Sequence, residues 1–392
     1  MTTPKVRPRP VPATSSPRSA DLVLPAYESD SLGDLMPSIG AHLGVPGCRE
    51  DVLGLPPADR YVVVLVDGLG WNLLRRSVRD VPYLASLLGD ARAITSGVPS
   101  TTATSLASLG TGLVPGQHGL VGYTSRVPAT GEVLNALTWE TDLTGRTYQP
   151  KPTLFERAAA TGVAVTTVTL QRFADTGLTE AALRGAEFQG YDDDHDVDGR
   201  TALTVAASAR APRSIVYGYE RALDHHGHSA GCLSAEWRRQ LVQVDQRCQA
   251  LRDALPDDVR LLVTADHGMV DVPKDRRLVV EDEPELLAGV TVLAGEPRFR
   301  QLYVDRDRPE RVADRWRSRL GPNAWVWTRD EAIAHGWFGA VDDDLRERYG
   351  HVLVALRDDW AVMTRAMPRE LTLVGMHGSL TADEMLVPLL VD

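Results

Sequence analysis

The sequence predicts an α/β fold with a largely parallel central sheet, helices on both of its faces, and a smaller inserted α+β cap. Three observations lead there. Apolar strand-like runs alternate with helical patterns between residues 61 and 265, the signature of a parallel sheet. Two of these runs, 61–66 and 261–265, end directly on Asp67 and on Asp266-His267. The loops beyond the carboxyl ends of parallel strands converge on one crevice, so ligands released there from distant positions can meet. Between 271 and about 360 the pattern changes and carries no candidate ligand.

In chain order, residues 1–20 are rich in Pro, Ser, Thr and Arg and read as a disordered lead-in. No apolar stretch of signal-peptide length occurs there. Leu32, Leu35, Ile39 and Leu43 share one helical face after Ser31, which predicts an amphipathic helix over 31–44 in spite of Pro37. Strands are expected at 61–66 and 91–96, then a short helix at 104–109. The stretch 121–150 mixes Gly, Pro and Thr and reads as loops over the site, with a strand at 133–139. Thr153 and Glu156 have capping-box spacing and Gly162 is a stop signal, so a helix over 154–161 leads into a strand at 163–170. A strand at 214–219 follows. Trp237, Leu241, Val244, Cys248, Leu251 and Leu255 mark a long amphipathic helix before a strand at 260–265. The cap, 271–360, carries strands at 298–303, 323–328 and 352–356 and a helix at 310–320. The catalytic part therefore comprises 21–270 and 361–392, closing with a strand at 385–391.

With 392 residues, 43% of them hydrophobic, the chain can bury a large core. A net charge of −11 leaves no basic groove for nucleic acid. No run of about 18 apolar residues suggests a membrane span. Cys48, Cys232 and Cys248 are odd in number and lack metal-type spacing, which argues against a disulfide scaffold. A cytoplasmic location is the expectation.

The chemistry-bearing residues fall in five segments. Besides Asp67 and Asp266-His267, a hydroxyl cluster runs from Ser100 to Ser105, Asp224-His225-His226-Gly227-His228 offers further ligands, and His377 lies near the C-terminus. Three carboxylates, three imidazoles and a threonine suffice for two divalent ions with a position open to substrate. Oxygen and imidazole ligands in that mixture suit zinc first and manganese second. Such a site lowers the pKa of a coordinated hydroxyl and clamps phosphoryl oxygens, so phosphoester hydrolysis is expected. Thr102 falls near a helix N-terminus, where N–H groups and the dipole favour anionic oxygen, and Ser105 is a candidate to steady the phosphoryl group. Taken alone, the same cluster reads as helix capping.

The ordered set of Val-Asp67-Gly, Pro-Ser-Thr-Thr-Ala-Thr leading to the 111–119 turn, Asp224-x-x-Gly-His228, Ala-Asp266-His267-Gly-Met and His377-Gly resembles the alkaline phosphatase superfamily. Within it, the match is to the nucleotide pyrophosphatase/phosphodiesterase branch. The resemblance runs from about residue 60 to the end. It implies that Asp67, Thr102, Asp266 and His267 hold one zinc, that Asp224, His228 and His377 hold the other, and that Thr102 is the nucleophile carrying a covalent phosphoryl group. Counting back from Thr111-Gly112 selects Thr102, with Thr101 as the alternative register. Ala103 and Ser105 depart from the nucleotide-cleaving pattern, which usually has an aromatic and an asparagine there. The implied substrate is a small phosphate ester, nucleotides included, cleaved as a diester or pyrophosphate. Phosphomonoester and phosphonate hydrolysis are the alternatives within the superfamily, and the threonine argues against a sulfatase.

A rival from another class is a metal-independent serine hydrolase. Gly227-x-Ser229-x-Gly231 has elbow spacing, with Asp266 and His377 available as triad partners. The polar, His-rich run before Ser229 is a poor match for the buried strand that an elbow requires. The run from Asp194 to Gly199 opens like a calcium loop, but Val205 stands where glutamate is needed. Gly68-Leu69-Gly70 lacks the third glycine of a dinucleotide loop. His118 is expected to brace the 111–119 turn, and His225 and His226 to support neighbouring ligands. Trp139, Tyr123 and Tyr148 are available either to stack on an aromatic group or to pack in the core.

Overall fold

A computed structural model describes residues 22–48, 50–304 and 309–392; the lead-in expected over 1–20 lies outside them. Seven strands build the main sheet: Arg60–Val66 (β1), Arg92–Thr95 (β2), Ala164–Leu170 (β3), Glu187–Tyr191 (β4), Ser214–Glu220 (β5), Val259–Thr264 (β6) and Leu386–Val391 (β7). Their order is β2–β7–β6–β1–β5–β3–β4. The pairs β1/β5, β1/β6, β3/β5 and β3/β4 are parallel, while β7 runs antiparallel to both β2 and β6. Six of the seven residues of β1 are buried, as a strand covered on both faces requires. Helices Leu35–His42, Thr102–Thr111, Leu154–Ala159 and Gly177–Leu183 pack together as one group. Helices Val197–Ser208 and Ala235–Ala254 form another, and both groups meet the sheet.

Local chemistry explains where these elements begin and end. Thr153 and Glu156 form the capping box, each side chain accepting from the other's backbone N–H at 3.0 Å. The first helix is a 3₁₀ turn, Leu32–Asp34, running into Leu35–His42. Pro37 lies in that first α-turn, where its missing N–H has no partner to lose. Asp196 accepts from Gly199 N–H at 2.9 Å and caps the helix Val197–Ser208, so the acidic run that resembles a calcium loop is a helix start. The strand expected over 133–139 shortens to Val133–Asn135, paired with Thr124–Arg126.

A second sheet, antiparallel throughout, is ordered Val290–Glu296, Phe299–Val304, Val352–Leu356, Ala324–Thr328. Val312, Ala313, Trp316 and Leu320 of the helix Pro309–Leu320 share its core with Leu302, Val326 and Val354. Arg277–Val279 pairs with Ala361–Met363, so strand pairing crosses the boundary expected at 360. Two fully buried arginines, Arg298 in the turn between the first two strands and Arg300 in the second, reach segments that follow and precede His377. Arg298 makes a two-pronged contact with Glu384, at 3.0 and 2.6 Å, and Arg300 pairs with Glu370. Buried charges of this kind need such partners.

Candidate metal centre

Three neighbouring parallel strands set the site. In the register of the sheet, Val66 faces Glu220 and Leu65 faces Thr264, so β1, β5 and β6 end at one edge. Asp67 follows β1 directly, with its N–H donating to Glu220 O at 2.9 Å. Asp266 and His267 follow β6. Asp224 and His228 lie one helical turn apart on Ala222–Ala230, just after β5, so the i, i+4 spacing puts both on one face. His377 arrives through a short antiparallel pair, Gly375–Met376 with Val270–Asp271, and β7 then starts beside the end of β2. Gly68 has φ +74° and a Cβ there would lie 3.1 Å from the Cβ of Asp224, so only glycine lets the loop after Asp67 pass this close.

The side chains converge. Asp67, Asp266 and His267 present one group of ligand atoms within 4.8 Å of one another, and Asp224, His267 and His377 present a second. The imidazole of His267 is therefore common to both. His228 Nε2 is 3.3 Å from Asp224 Oδ2. All three imidazoles hold Nδ1 against a backbone carbonyl: His267 against Gly268 O at 2.9 Å, His377 against Ser100 O at 2.9 Å and His228 against Gly375 O at 2.8 Å. A carbonyl only accepts, so each Nδ1 carries the proton and each Nε2 turns a lone pair inward.

The carboxylates lack what the imidazoles have. Asp67 Oδ1, Asp224 Oδ1 and Asp266 Oδ2 are buried and make no hydrogen bond. Asp266 uses its other oxygen to accept from Gly68 and His267 N–H groups at 3.1 and 3.0 Å, and Tyr219 donates its hydroxyl to Asp67 Oδ2. Burial, then the charges of Asp266 and Asp224, holds Asp67 well above the usual carboxylate range in spite of that hydrogen bond. His377 is pushed well below the usual imidazole range by burial and by His267 and His228 beside it. Three orphaned oxygens and three inward lone pairs are a donor set that fits divalent cations, and a bound cation would undo the rise of Asp67 and hold His377 in the same unprotonated form that its downward shift already favours.

Thr102 is the first residue of the buried helix Thr102–Thr111, and its Oγ1 lies 3.2 Å from His267 Nε2. Thr101 is the N-cap residue, but its side chain makes no capping bond, and Ser100 donates instead to Ser379 O at 2.7 Å. Capping therefore does not account for the hydroxyl cluster. Ser105, the candidate phosphoryl contact, turns into the core. Its hydroxyl donates to Asp266 O at 2.8 Å and lies 3.0 Å from Ser96 Oγ, which braces the Asp266 loop and places Ser105 away from the cavity lining.

That cavity, about 550 Å³, is lined by Asp67, Thr101, Thr102, Asp224, His228 and His377 among others. Tyr123, Phe173, Tyr217, Tyr219, Arg172, Arg369 and Glu296 also line it, and of these the sequence singles out Tyr123 alone. Alternation along β5 was the available signal for Tyr217 and Tyr219, which share a face of the strand. Trp139 and Tyr148 pack edge to face with centroids 5.6 Å apart, and Trp139 Nε1 donates to Leu143 O, so both serve the core. His118 braces its turn as expected. Its Nδ1 accepts from Leu120 N–H and its Nε2 donates to Ser108 Oγ at 3.0 Å, and burial lowers it to about 3. Ser229 sits in the last turn of Ala222–Ala230 with its hydroxyl on His226 O. A nucleophile elbow requires a strand-to-helix turn at that point, so the serine hydrolase loses its geometry. The three cysteines are free, and no helix among the described residues is long and apolar enough to cross a membrane.

Solved structures share this fold. Murine ectonucleotide pyrophosphatase/phosphodiesterase 5, solved as an inactive variant with AMP, superposes with a TM-score of 0.68 at 18% identity, over 84% of this chain and 87% of that one. The human protein of the same name gives 0.66 at 17%, over 85% and 87%. Phosphonoacetate hydrolase from Sinorhizobium meliloti, in complex with phosphonoformate, gives 0.65 at 19%, over 86% and 91%. No curated protein sequence matches the chain. The family model of type I phosphodiesterase/nucleotide pyrophosphatase matches residues 61–380, a span that contains every ligand candidate described above, and the chain belongs to that family of phosphoester hydrolases.

Proposed function

We propose that this protein is a two-metal phosphodiesterase/nucleotide pyrophosphatase, with zinc as its ion, that hydrolyses phosphodiester or pyrophosphate bonds through a phosphothreonine on Thr102. The observation that carries this is the placement of Thr102 Oγ1, 3.2 Å from His267 Nε2, on the wall of the cavity that also holds the orphaned Asp67 and Asp224 oxygens. Asp67, Asp266 and His267 would hold one ion with Thr102, and Asp224, His228 and His377 the other. When bound, the ions lower the pKa of a coordinated hydroxyl and balance charge on the phosphoryl oxygens.

The chain's own residues supply the rest. The helix Thr102–Thr111 begins at the nucleophile, and the first N–H groups of a helix have no intrahelical partner, so they favour negative charge developing at that end. The Thr102 oxygen gives up its proton and forms a bond to phosphorus as the bond to the leaving oxygen breaks, and the leaving oxygen takes up a proton. A water then attacks phosphorus, the bond between phosphorus and the Thr102 oxygen breaks, and the proton released by the water returns to Thr102. Tyr123 and Phe173 on the cavity wall give an aromatic leaving or retained group a surface to rest on, in keeping with the AMP bound by the murine structural neighbour.

The test compares a chromogenic phosphodiester with its matching monoester, before and after chelation and zinc restoration, with Thr102→Ala alongside. Diester turnover should disappear on chelation, return with zinc and be absent in the variant. Turnover that survives chelation, or a Thr102→Ala protein as fast as the parent, would overturn the proposal. A faster monoester rate would move it to the phosphomonoesterases.

A further inference from the structure

Four glutamates are buried among the described residues: Glu220, Glu296, Glu370 and Glu384. Three of them have arginine partners. Glu220 pairs with Arg200 and Arg247, Glu370 with Arg300, and Glu384 with Arg298. Glu296, only 4% exposed, forms no ion pair among the described residues. Its Oε2 accepts from Tyr123 N–H at 2.9 Å, and its Oε1 is buried without a hydrogen bond. An unpaired buried carboxyl is costly unless a ligand completes it.

Its position says which ligand. Glu296 lines the same cavity as Thr101, Thr102 and His377. It packs on Gly378, where φ is +129° and a Cβ would lie 2.6 Å from Glu296 Cγ. Gly378 O in turn accepts from Ser100 N–H at 3.1 Å, so Glu296 stands beside the loop that carries the nucleophile candidate. The charged groups nearest it are Arg300, paired with Glu370, and Glu384, paired with Arg298, while Arg172 and Arg369 line the same cavity. Burial raises its pKa to about 8, the charges of Glu370 and Glu384 adding to this while Tyr123 N–H and Arg300 oppose it. A backbone N–H on Oε2 leaves Oε1 as the oxygen that carries the proton.

We propose that Glu296 is a substrate-binding residue that acts as an uncharged carboxylic acid, its Oε1–H donating a hydrogen bond to an anionic oxygen of the bound phosphoryl group. This rests on the phosphoesterase assignment above and extends it to a residue outside the ligand set. An ionised carboxylate at this point would repel a phosphate ester, whereas a neutral acid in an apolar wall donates to it.

The experiment measures inorganic phosphate binding to the zinc-restored protein by calorimetry for the parent, Glu296→Gln and Glu296→Ala, and KM for a chromogenic diester in parallel. Glutamine reproduces the neutral acid, with an amide N–H toward the ligand and its oxygen on Tyr123 N–H. Glu296→Ala should weaken phosphate about tenfold to a hundredfold, and Glu296→Gln should stay within about threefold of the parent. An alanine variant that binds as the parent does, or a glutamine variant as weak as alanine, would overturn the proposal. If the alanine protein does not fold, pH decides: parental affinity should fall relative to Glu296→Gln as rising pH ionises Glu296, and the same alkaline limb in both proteins would overturn it. Absence of diester turnover in the parent would count against the phosphodiesterase assignment, while the phosphate data would still judge Glu296.

Discussion

Buried acids are handled in two ways in this molecule. Behind the second sheet, Glu384 and Glu370 each meet an arginine that is itself fully buried. At the carboxyl edge of the main sheet, Asp67, Asp224 and Asp266 meet one another, a tyrosine hydroxyl and imidazoles, and each keeps an unpartnered oxygen. The first arrangement neutralises itself and belongs to the architecture. The second carries negative charge that the chain does not balance, which is what a site for external cations must do. Glu296 belongs to neither region, since it is single and is relieved by keeping its proton.

Substitutions can break this comparison on either side. The largest effect expected is at the metal edge: Thr102→Ala should lower diester kcat by about a thousandfold or more while bound zinc is retained through the remaining ligands, measured by turnover and metal content together. On the architectural side, Glu384→Ala leaves Arg298 buried without its partner. It should cost about 3–5 kcal/mol in denaturant unfolding, whether or not metal is present.

Metal removal sharpens the contrast. Each zinc ion at a hundredfold its Kd should stabilise the protein by about 2.7 kcal/mol, an effect that Asp67→Asn should shrink and Glu384→Ala should leave in place. The pH dependence has a definite sign. Asp67 is raised in the folded state, so its contribution to the metal-free protein is complete at low pH and is lost as pH rises from the ordinary carboxylate value through the raised one. Chelated protein should therefore lose stability with rising pH over that window, and zinc affinity should rise there as protons leave, both measurable by thermal unfolding across pH.

Smaller effects test the supporting residues. Tyr219→Phe removes the hydroxyl from Asp67 Oδ2 and should weaken zinc about tenfold to a hundredfold, as loss of an orienting partner does. Ser105→Ala removes a brace on Asp266 O and should cost about 1 kcal/mol of stability without raising KM. A raised KM with unchanged stability would instead restore Ser105 to the substrate.

Much of this was legible because acids and imidazoles follow apolar runs so closely. Tyr61 to Val66 and Leu261 to Thr264 are buried on both faces, so their strands are plain in the sequence, and the residues just beyond them had to lie at the sheet edge. Elements with one wet face were harder. Glu187–Tyr191 is an edge strand whose Glu187 is exposed, and its polar residues hid it. The helix Ala222–Ala230 carries three histidines and an aspartate and shows little apolar face, although the i, i+4 spacing of Asp224 and His228 was visible. Ser105 failed for a different reason: from sequence it stands one turn after Thr102, yet helix phase turns it to Ser96 and the Asp266 loop. Glu296 lies 194 positions after Thr102 by numbering, on a second sheet, and no local pattern links the two.

A zinc titration of the chelated protein, following bound metal and diester turnover in the same samples, decides most directly whether the unbalanced acids are a metal centre. Two ions per chain are expected, with turnover appearing as the site fills, and Asp224→Asn should lose one ion while retaining the other. A chelated protein that binds no zinc at this edge, or that turns over diester at its full rate with none bound, would show that Asp67, Asp224 and Asp266 are buried for some other reason.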